Sequence, residues 1–267
     1  MRFLIKQAAR YPWSVAKAYY SGVSFDPTGQ DAAPHGHTFK TDGIKMYISG
    51  VATDKIYQYS LSTAWDLSTA SYDSVNASLG AEDSFVVELV FKSDGSKLFT
   101  LGQANNKVFS YSLTSWGLST LTYDTLFLDV SGQDNSPTGM ALKPDGTKMY
   151  IVGGQNDKIY QYSLSTAWDL STATYDSVSF SLAQDSTPWG IIIKDDGMRM
   201  FIAGIDNTSV YEYAIGTAWD ISTASYVGSR VIVSSQDSQP AGLTFKSDGA
   251  RLYVTGGTND KIYQYTC

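Results

Sequence analysis

Hydrophobic positions recur along this chain in two rhythms, one short and one long. The short rhythm is alternation. In IYQYSL, from Ile56, the residues Tyr57, Tyr59 and Leu61 point one way while Ile56, Gln58 and Ser60 point the other, the two-residue period of a β-strand. Comparable runs are VFSYSL from Val108, IYQYSL from Ile159, VYEYAI from Val210 and IYQYT from Ile262. Before each comes a second apolar run: KMYIS at Lys45, KLFTL at Lys97, KMYIV at Lys148, RMFIA at Arg199 and RLYVT at Arg251. A third run precedes those, as PHGHTFK, VVELVFK, PTGMALK, PWGIIIK and PAGLTFK. After the Tyr-rich run the chain turns through segments such as STAWDLSTASY. Ser and Thr are weak helix formers, so a loop leading into an outer strand is expected there.

The long rhythm repeats this set five times. Asp-Gly pairs begin at Asp42, Asp94, Asp145, Asp196 and Asp248, spaced 52, 51, 51 and 52 residues apart. Each sits in a Lys-x-Asp-Gly context and reads as a β-hairpin tip, since Asp favours the start of a tight turn and Gly tolerates positive φ. Four strands per period of about 50 residues is the signature of a β-propeller, all-β and built of four-stranded antiparallel blades. Each blade exposes two apolar faces that only its neighbours can cover, so the ring must close. Trp13, Trp65, Trp116, Trp168 and Trp219 show how. They are spaced 52, 51, 52 and 51, and the last period ends at IYQYTC without an outer strand. Trp13 to Tyr20 has the same separation as Trp65 to Tyr72, so the N-terminal strand is expected to complete the last blade. The reading is one five-bladed domain over residues 12–267, with residues 1–11 as an extension.

Composition narrows the functional classes. The chain has 267 residues, 43% of them apolar, and a formal charge of −7. No cluster of Lys and Arg exists, which argues against nucleic-acid binding. The only apolar run near the start, Phe3 to Ile5, is too short for a signal-peptide core, and no run approaches the length of about 18 residues needed to span a membrane. A soluble protein without membrane insertion is expected. The single Cys, Cys267, allows no internal disulfide and reads as a passive residue at a frayed end.

Candidate chemistry lies where blades repeat a polar residue or break the repeat. Asp31, Asp83, Asp134, Asp185 and Asp237 each precede an Asp-Gly pair by eleven residues. They could form five equivalent pockets, but carboxylates accepting backbone N–H groups, as in Asx turns, are the simpler reading. Ligand spacing for a hard metal is absent, and no metal or cofactor is expected. Among breaks in the repeat, Trp189 stands where other blades have His35, Val87, Thr138 and Ala241. His35 and His37 are the only histidines, and Glu88 replaces a Gly. Gathered near the channel mouth, Trp189, His35, His37 and Glu88 could bind a ligand such as a sugar. The simpler reading makes the histidines polar filler and Trp189 a plug of the narrow opening. One inner-strand carboxylate, two histidines and no nucleophile–base set argue against an enzyme.

The blade pattern PTGMALKPDGTKMYIVG at Pro137 to Gly153, with IYQYSLSTAWDLSTATY at Ile159 to Tyr175, resembles a propeller repeat of marine bacteriophage proteins over residues 12–267. That resemblance implies a non-enzymatic virion protein on a fibre, tail or capsid, mediating protein or host-surface contacts. Residues 1–11 would then dock on other virion proteins. The alternative is a secreted or cytoplasmic carbohydrate-binding propeller, with a host-surface glycan as partner.

Overall fold

The structure, a computed structural model, describes residues 12–267. Each period forms one four-stranded antiparallel sheet, and there are five among the described residues. Blade one comprises Pro34–Phe39, Lys45–Gly50, Lys55–Leu61 and Ala70–Ser78, from the axis outward. The alternation within a strand separates left from right rather than inside from outside. Tyr47 and Ile56 pack against Leu98 and Tyr111 of blade two, whereas Ile48, Tyr57 and Tyr59 pack against Tyr253 and Ile262 of blade five. Both faces of a blade are therefore buried, which is why its middle strands carry few exposed positions.

The ring closes through the N-terminal strand. Tyr19–Phe25 pairs with Lys261–Thr266, setting Tyr20 opposite Tyr265 and Phe25 opposite Ile262, with a bulge between Tyr20 and Val23. Gly22, at φ 83°, supplies the left-handed residue within that bulge. Ahead of the strand, Trp13 N donates to Gly249 O at 3.0 Å. Ser14 Oγ and Val15 N donate to the Glu212 carboxylate of blade four at 2.7 and 3.0 Å. The seam is thus fastened to two blades. The docking role expected for residues 1–11 lies outside the described residues.

The other end of the chain corrects one expectation. Cys267 is not frayed: its N–H donates to Ala250 O at 3.0 Å, and its side chain lies in the apolar cluster between blades four and five. Burial pushes its thiol up to about 12, so it stays protonated and shielded.

The Asp-Gly and Trp periods prove to be one device. Trp168 N donates to Gly146 O at 3.0 Å, and a Cβ added to Gly146 would lie 2.3 Å from the Trp168 ring. Gly is needed there both for its φ of 74° and for the indole resting on it. The same arrangement holds in all five blades. The segments carrying these tryptophans are loops with a single 3-10 turn in blades one and three (Leu67–Thr69 and Leu170–Thr172). In blades two and four the outer strands, Gly117–Asp129 and Asp220–Ile232, run through to a tight hairpin instead.

Candidate active site

Five inner strands line the axis: Pro34–Phe39, Val86–Phe91, Pro137–Leu142, Pro188–Ile193 and Pro240–Phe245. Each breaks register with its neighbour at its second or third residue. Four of the third residues are glycines packed against the next inner strand. A Cβ on Gly139 would fall 2.3 Å from Trp189 O, and one on Gly190 would fall 2.2 Å from Ala241 O. Blade two puts Glu88 at this crowded position. Two chambers result, one toward the strand starts and one toward the Asp-Gly tips.

The tip chamber encloses about 250 Å³ and is lined by Glu88, His37, Thr38, Thr244 and Asp195 among apolar residues. Glu88 is 4% exposed, and its carboxylate accepts one hydrogen bond, from Leu89 N at 3.0 Å. Its Oε1 lies close to the backbone of Gly36. Burial, only partly offset by that hydrogen bond, pushes the Glu88 carboxyl up to about 8. His37 is 1% exposed. Its Nδ1 is 2.6 Å from Thr255 Oγ1, and its Nε2 is enclosed without a hydrogen-bond partner among the described residues. Burial lowers it to about 3, so its imidazole is neutral at pH 7. Asp195 is also raised, by burial and then by the neighbouring Asp196 charge. Among the described residues no Lys or Arg lines this chamber.

The entry chamber encloses about 240 Å³ between His35, Phe85, Trp189, Ile205, Gln239 and Ala241. The His35 ring centroid is 5.5 Å from that of Trp189 and 5.3 Å from that of Phe85. Burial lowers the His35 pKa to about 4. The four candidates read from the sequence are therefore divided: His35 and Trp189 line one chamber, His37 and Glu88 the other. Sequence reasoning missed Asp195, Thr255 and Phe85. Of these Asp195 carried a signal, since the other blades have Thr41, Ser93, Pro144 and Ser247 in the same place.

The five repeated acids are tied into backbone. Asp31 accepts from Ala33 N at 2.8 Å, Ala52 N at 3.2 Å and Thr53 N at 2.9 Å. Asp83, Asp134, Asp185 and Asp237 repeat this three-donor pattern in their own blades. Each thereby joins the loop entering the inner strand to the loop between the second and third strands. Among the described residues no group of three or more His, Cys, Asp or Glu is placed to hold a metal ion.

No family model and no curated protein matches the chain. Solved structures do. A periplasmic gluconolactonase from Pseudomonas aeruginosa matches with TM-score 0.53 and 15% identity, over 87% of this chain and 66% of that one. A provisionally named 6-phosphogluconolactonase from Bacteroides uniformis gives 0.52 and 15%, over 75% and 55%. A luciferin-regenerating enzyme gives 0.54 and 11%, over 92% and 95%. This chain spans 62% of the first such structure, a protein of unknown function from Desulfotomaculum acetoxidans. At these identities the likeness establishes the propeller fold. It also corrects the expectation of a non-enzymatic virion protein: named enzymes occur among these neighbours, and the likeness carries no bacteriophage connection. Residue counts misled because they made Glu88 a lone acid. The structure instead buries it, with its carboxyl raised to about 8, in a chamber that His37 also lines.

Proposed function

We propose that this propeller is a hydrolase acting on a small uncharged lactone or ester held in the tip chamber. The observation that carries this reading is that one cavity is lined by both Glu88, buried with its carboxyl raised to about 8, and His37, buried and neutral at pH 7. The names of the lactonase neighbours supply the substrate class. The lining narrows it: among the described residues it has no Lys or Arg to clamp a phosphorylated sugar acid.

In this scheme the ionised Glu88 takes a proton from a water molecule whose oxygen attacks the lactone carbonyl carbon. His37, neutral with Thr255 donating to Nδ1, offers Nε2–H to the developing oxyanion. Collapse breaks the ring C–O bond, and Glu88 returns its proton to the leaving alkoxide, giving the hydroxy acid. A base with a pKa near the working pH is the efficient choice.

The test is a pH-stat assay on a panel of uncharged γ- and δ-lactones. Wild-type kcat/KM is expected to rise with pH through about 8, where the Glu88 carboxyl ionises. Glu88→Gln should lower it by about 10²-fold or more. A panel with no turnover, or an unaffected Gln variant, would remove the reading.

A further inference from the structure

The first four blades each hold a carboxylate against their middle strands. In blade three Asp176, on the outer strand, accepts from Gln161 Nε2 at 2.8 Å, Ser163 Oγ at 2.9 Å and Lys148 Nζ at 3.2 Å. Asp73 is held by Gln58 and Lys45 in blade one, and Asp124 by Ser110, Ser112 and Lys97 in blade two. Blade four moves the acid to its third strand, where Glu212 pairs with Arg199.

Blade five keeps the donors and lacks the acid. Tyr20 pairs with Tyr265 as Tyr175 pairs with Tyr162, which makes Ser21 the counterpart of Asp176. The outer strand bulges at the same place in both blades, with Gly22 matching the left-handed Ser177. By the register of the second and third strands, Gln264, Thr266 and Arg251 are the counterparts of Gln161, Ser163 and Lys148. Arg251 Nη1 donates to Trp65 O of blade one, and among the described residues no carboxylate pairs with its guanidinium.

A cavity of about 310 Å³ opens at this place, lined by Ser21, Gln264, Thr266, Arg251, Lys246 and Ala250. Gln264 is 4% exposed, the same as Gln161, which reaches Asp176. Lys246 is tied to Asp248 at 2.7 Å or less, so Arg251 supplies the charge. Asp66 also lines the cavity, with its Oδ1 taken up by Ser68 N and Oγ. An acid there is compatible with a second carboxylate. In blade three Asp176 sits with Asp220, the counterpart of Asp66: burial first, and then the charges of these two acids, raise the Tyr150 hydroxyl.

We propose that this cavity binds a small organic carboxylate in the place of the missing aspartate. Its oxygens accept from the Arg251 guanidinium, Gln264 Nε2 and Thr266 Oγ1, and its carbon chain has Val23 and Ala250 to lie against. A carboxylate is chosen over a phosphate because it is the group that the same donor set holds in blade three. The site is separate from the tip chamber, since no described residue lines both.

Acetate is the probe, because an aspartate side chain ends in an acetate group, and acetamide is the neutral control. The readout is the amide spectrum of the whole protein at constant ionic strength, in which the Gln264 side-chain NH2 pair is identified by its loss in Gln264→Met. Acetate should move that pair saturably, and acetamide should bind about tenfold more weakly or worse. Ser21→Asp restores the acid of the other blades and should abolish acetate binding, whereas Ser21→Ala leaves the place empty and should bind as the wild type does. Arg251→Gln should weaken binding about tenfold or more. Glu88→Gln should bind acetate unchanged, which separates this site from the catalytic proposal. No saturable shift by about 100 mM acetate overturns the proposal. So does undiminished binding in a folded Ser21→Asp, which would make acetate an adventitious surface ion, and phosphate binding more tightly than acetate would overturn the choice of carboxylate.

Discussion

At the scale of single residues, the side chains that matter most are the ones that break the repeat. Four blades have glycine at the third inner-strand position because the next strand's backbone lies within 3 Å of where a Cβ would be. Glu88 occupies that position in blade two and is buried with one hydrogen bond to its carboxylate. This makes stability depend on pH. The folded carboxyl titrates at about 8 and the unfolded one near 4.5, so between these values unfolding releases a proton. Stability from this group is complete below pH 4.5 and declines as pH rises through 8, by up to about 1.4 kcal/mol per pH unit. The two histidines have lowered values and titrate near pH 6.5 only when unfolded, so their opposing slope has largely died away by about pH 7.5. We therefore expect the wild-type unfolding midpoint in urea to fall above about pH 7.5, and Glu88→Gln to abolish most of that fall. Parallel slopes for the two proteins would show that Glu88 is ionised at neutral pH. Little of this was legible beforehand. The sequence exposed Glu88 as an exception, but a singleton has no period, and its burial follows from how two blades meet.

At the scale of the blade, adjacent sheets are joined by polar ties as well as apolar contact. Tyr150 OH donates to Trp219 O of the next blade at 2.7 Å, Tyr47 OH to Trp116 O at 2.8 Å, and Tyr253 OH to Trp65 O at 2.6 Å. Blades two and four have Phe99 and Phe201 at the equivalent position, so the site accepts a phenyl ring. Tyr150→Phe should thus keep its packing and lose the tie. The expected loss is about 1–3 kcal/mol, for a buried carbonyl deprived of its donor. A melt of the variant should show a midpoint several degrees lower, at about 2–4 °C per kcal/mol, and an unchanged midpoint would mean that the carbonyl has found another donor. Elements at this scale were readable from the sequence where the same demand recurs five times. Hairpin tips, Tyr-rich third strands and the Trp period all qualify. The stacking of Trp on the tip glycine was not, because both residues have positive φ and a β-turn signal does not extend to a tryptophan. Nor was the division of the candidates between two chambers. His35 and His37 are two residues apart, and alternation alone would put them on one face. The break in register between Pro34 and His37 separates them.

At the scale of the whole ring, the decisive feature is that blade five is assembled from both ends of the chain. Its outer strand, Tyr19–Phe25, is joined to Lys261–Thr266 beside it only through the rest of the ring, with no direct loop. Its attachment rests on the ladder, on Trp13 over Gly249, and on Glu212 receiving Ser14 and Val15. Without it the third strand of blade five becomes an open edge, and the Tyr263 and Tyr265 side chains lose their edge-on and tilted contacts with the Tyr20 ring. The geometry of blade one shows how to convert this junction into an ordinary one. There Leu61 and Trp65 are separated by Ser62, Thr63 and Ala64, and Cys267 and Trp13 are the matching residues of blade five. A permuted chain that begins at Asp26, runs to Cys267, and continues through Ser-Thr-Ala into Trp13 to Phe25 should therefore fold to the same ring. The new connection replaces a bimolecular-like docking of the terminal segment by a short loop, so closure needs less chain entropy. The permutant should melt at or above the wild-type temperature, whereas a chain that simply lacks residues 1–25 should precipitate or unfold without a cooperative transition. A stable truncated chain would show that the ring holds with blade five one strand short, and that the N-terminal strand covers an edge rather than closes the circle.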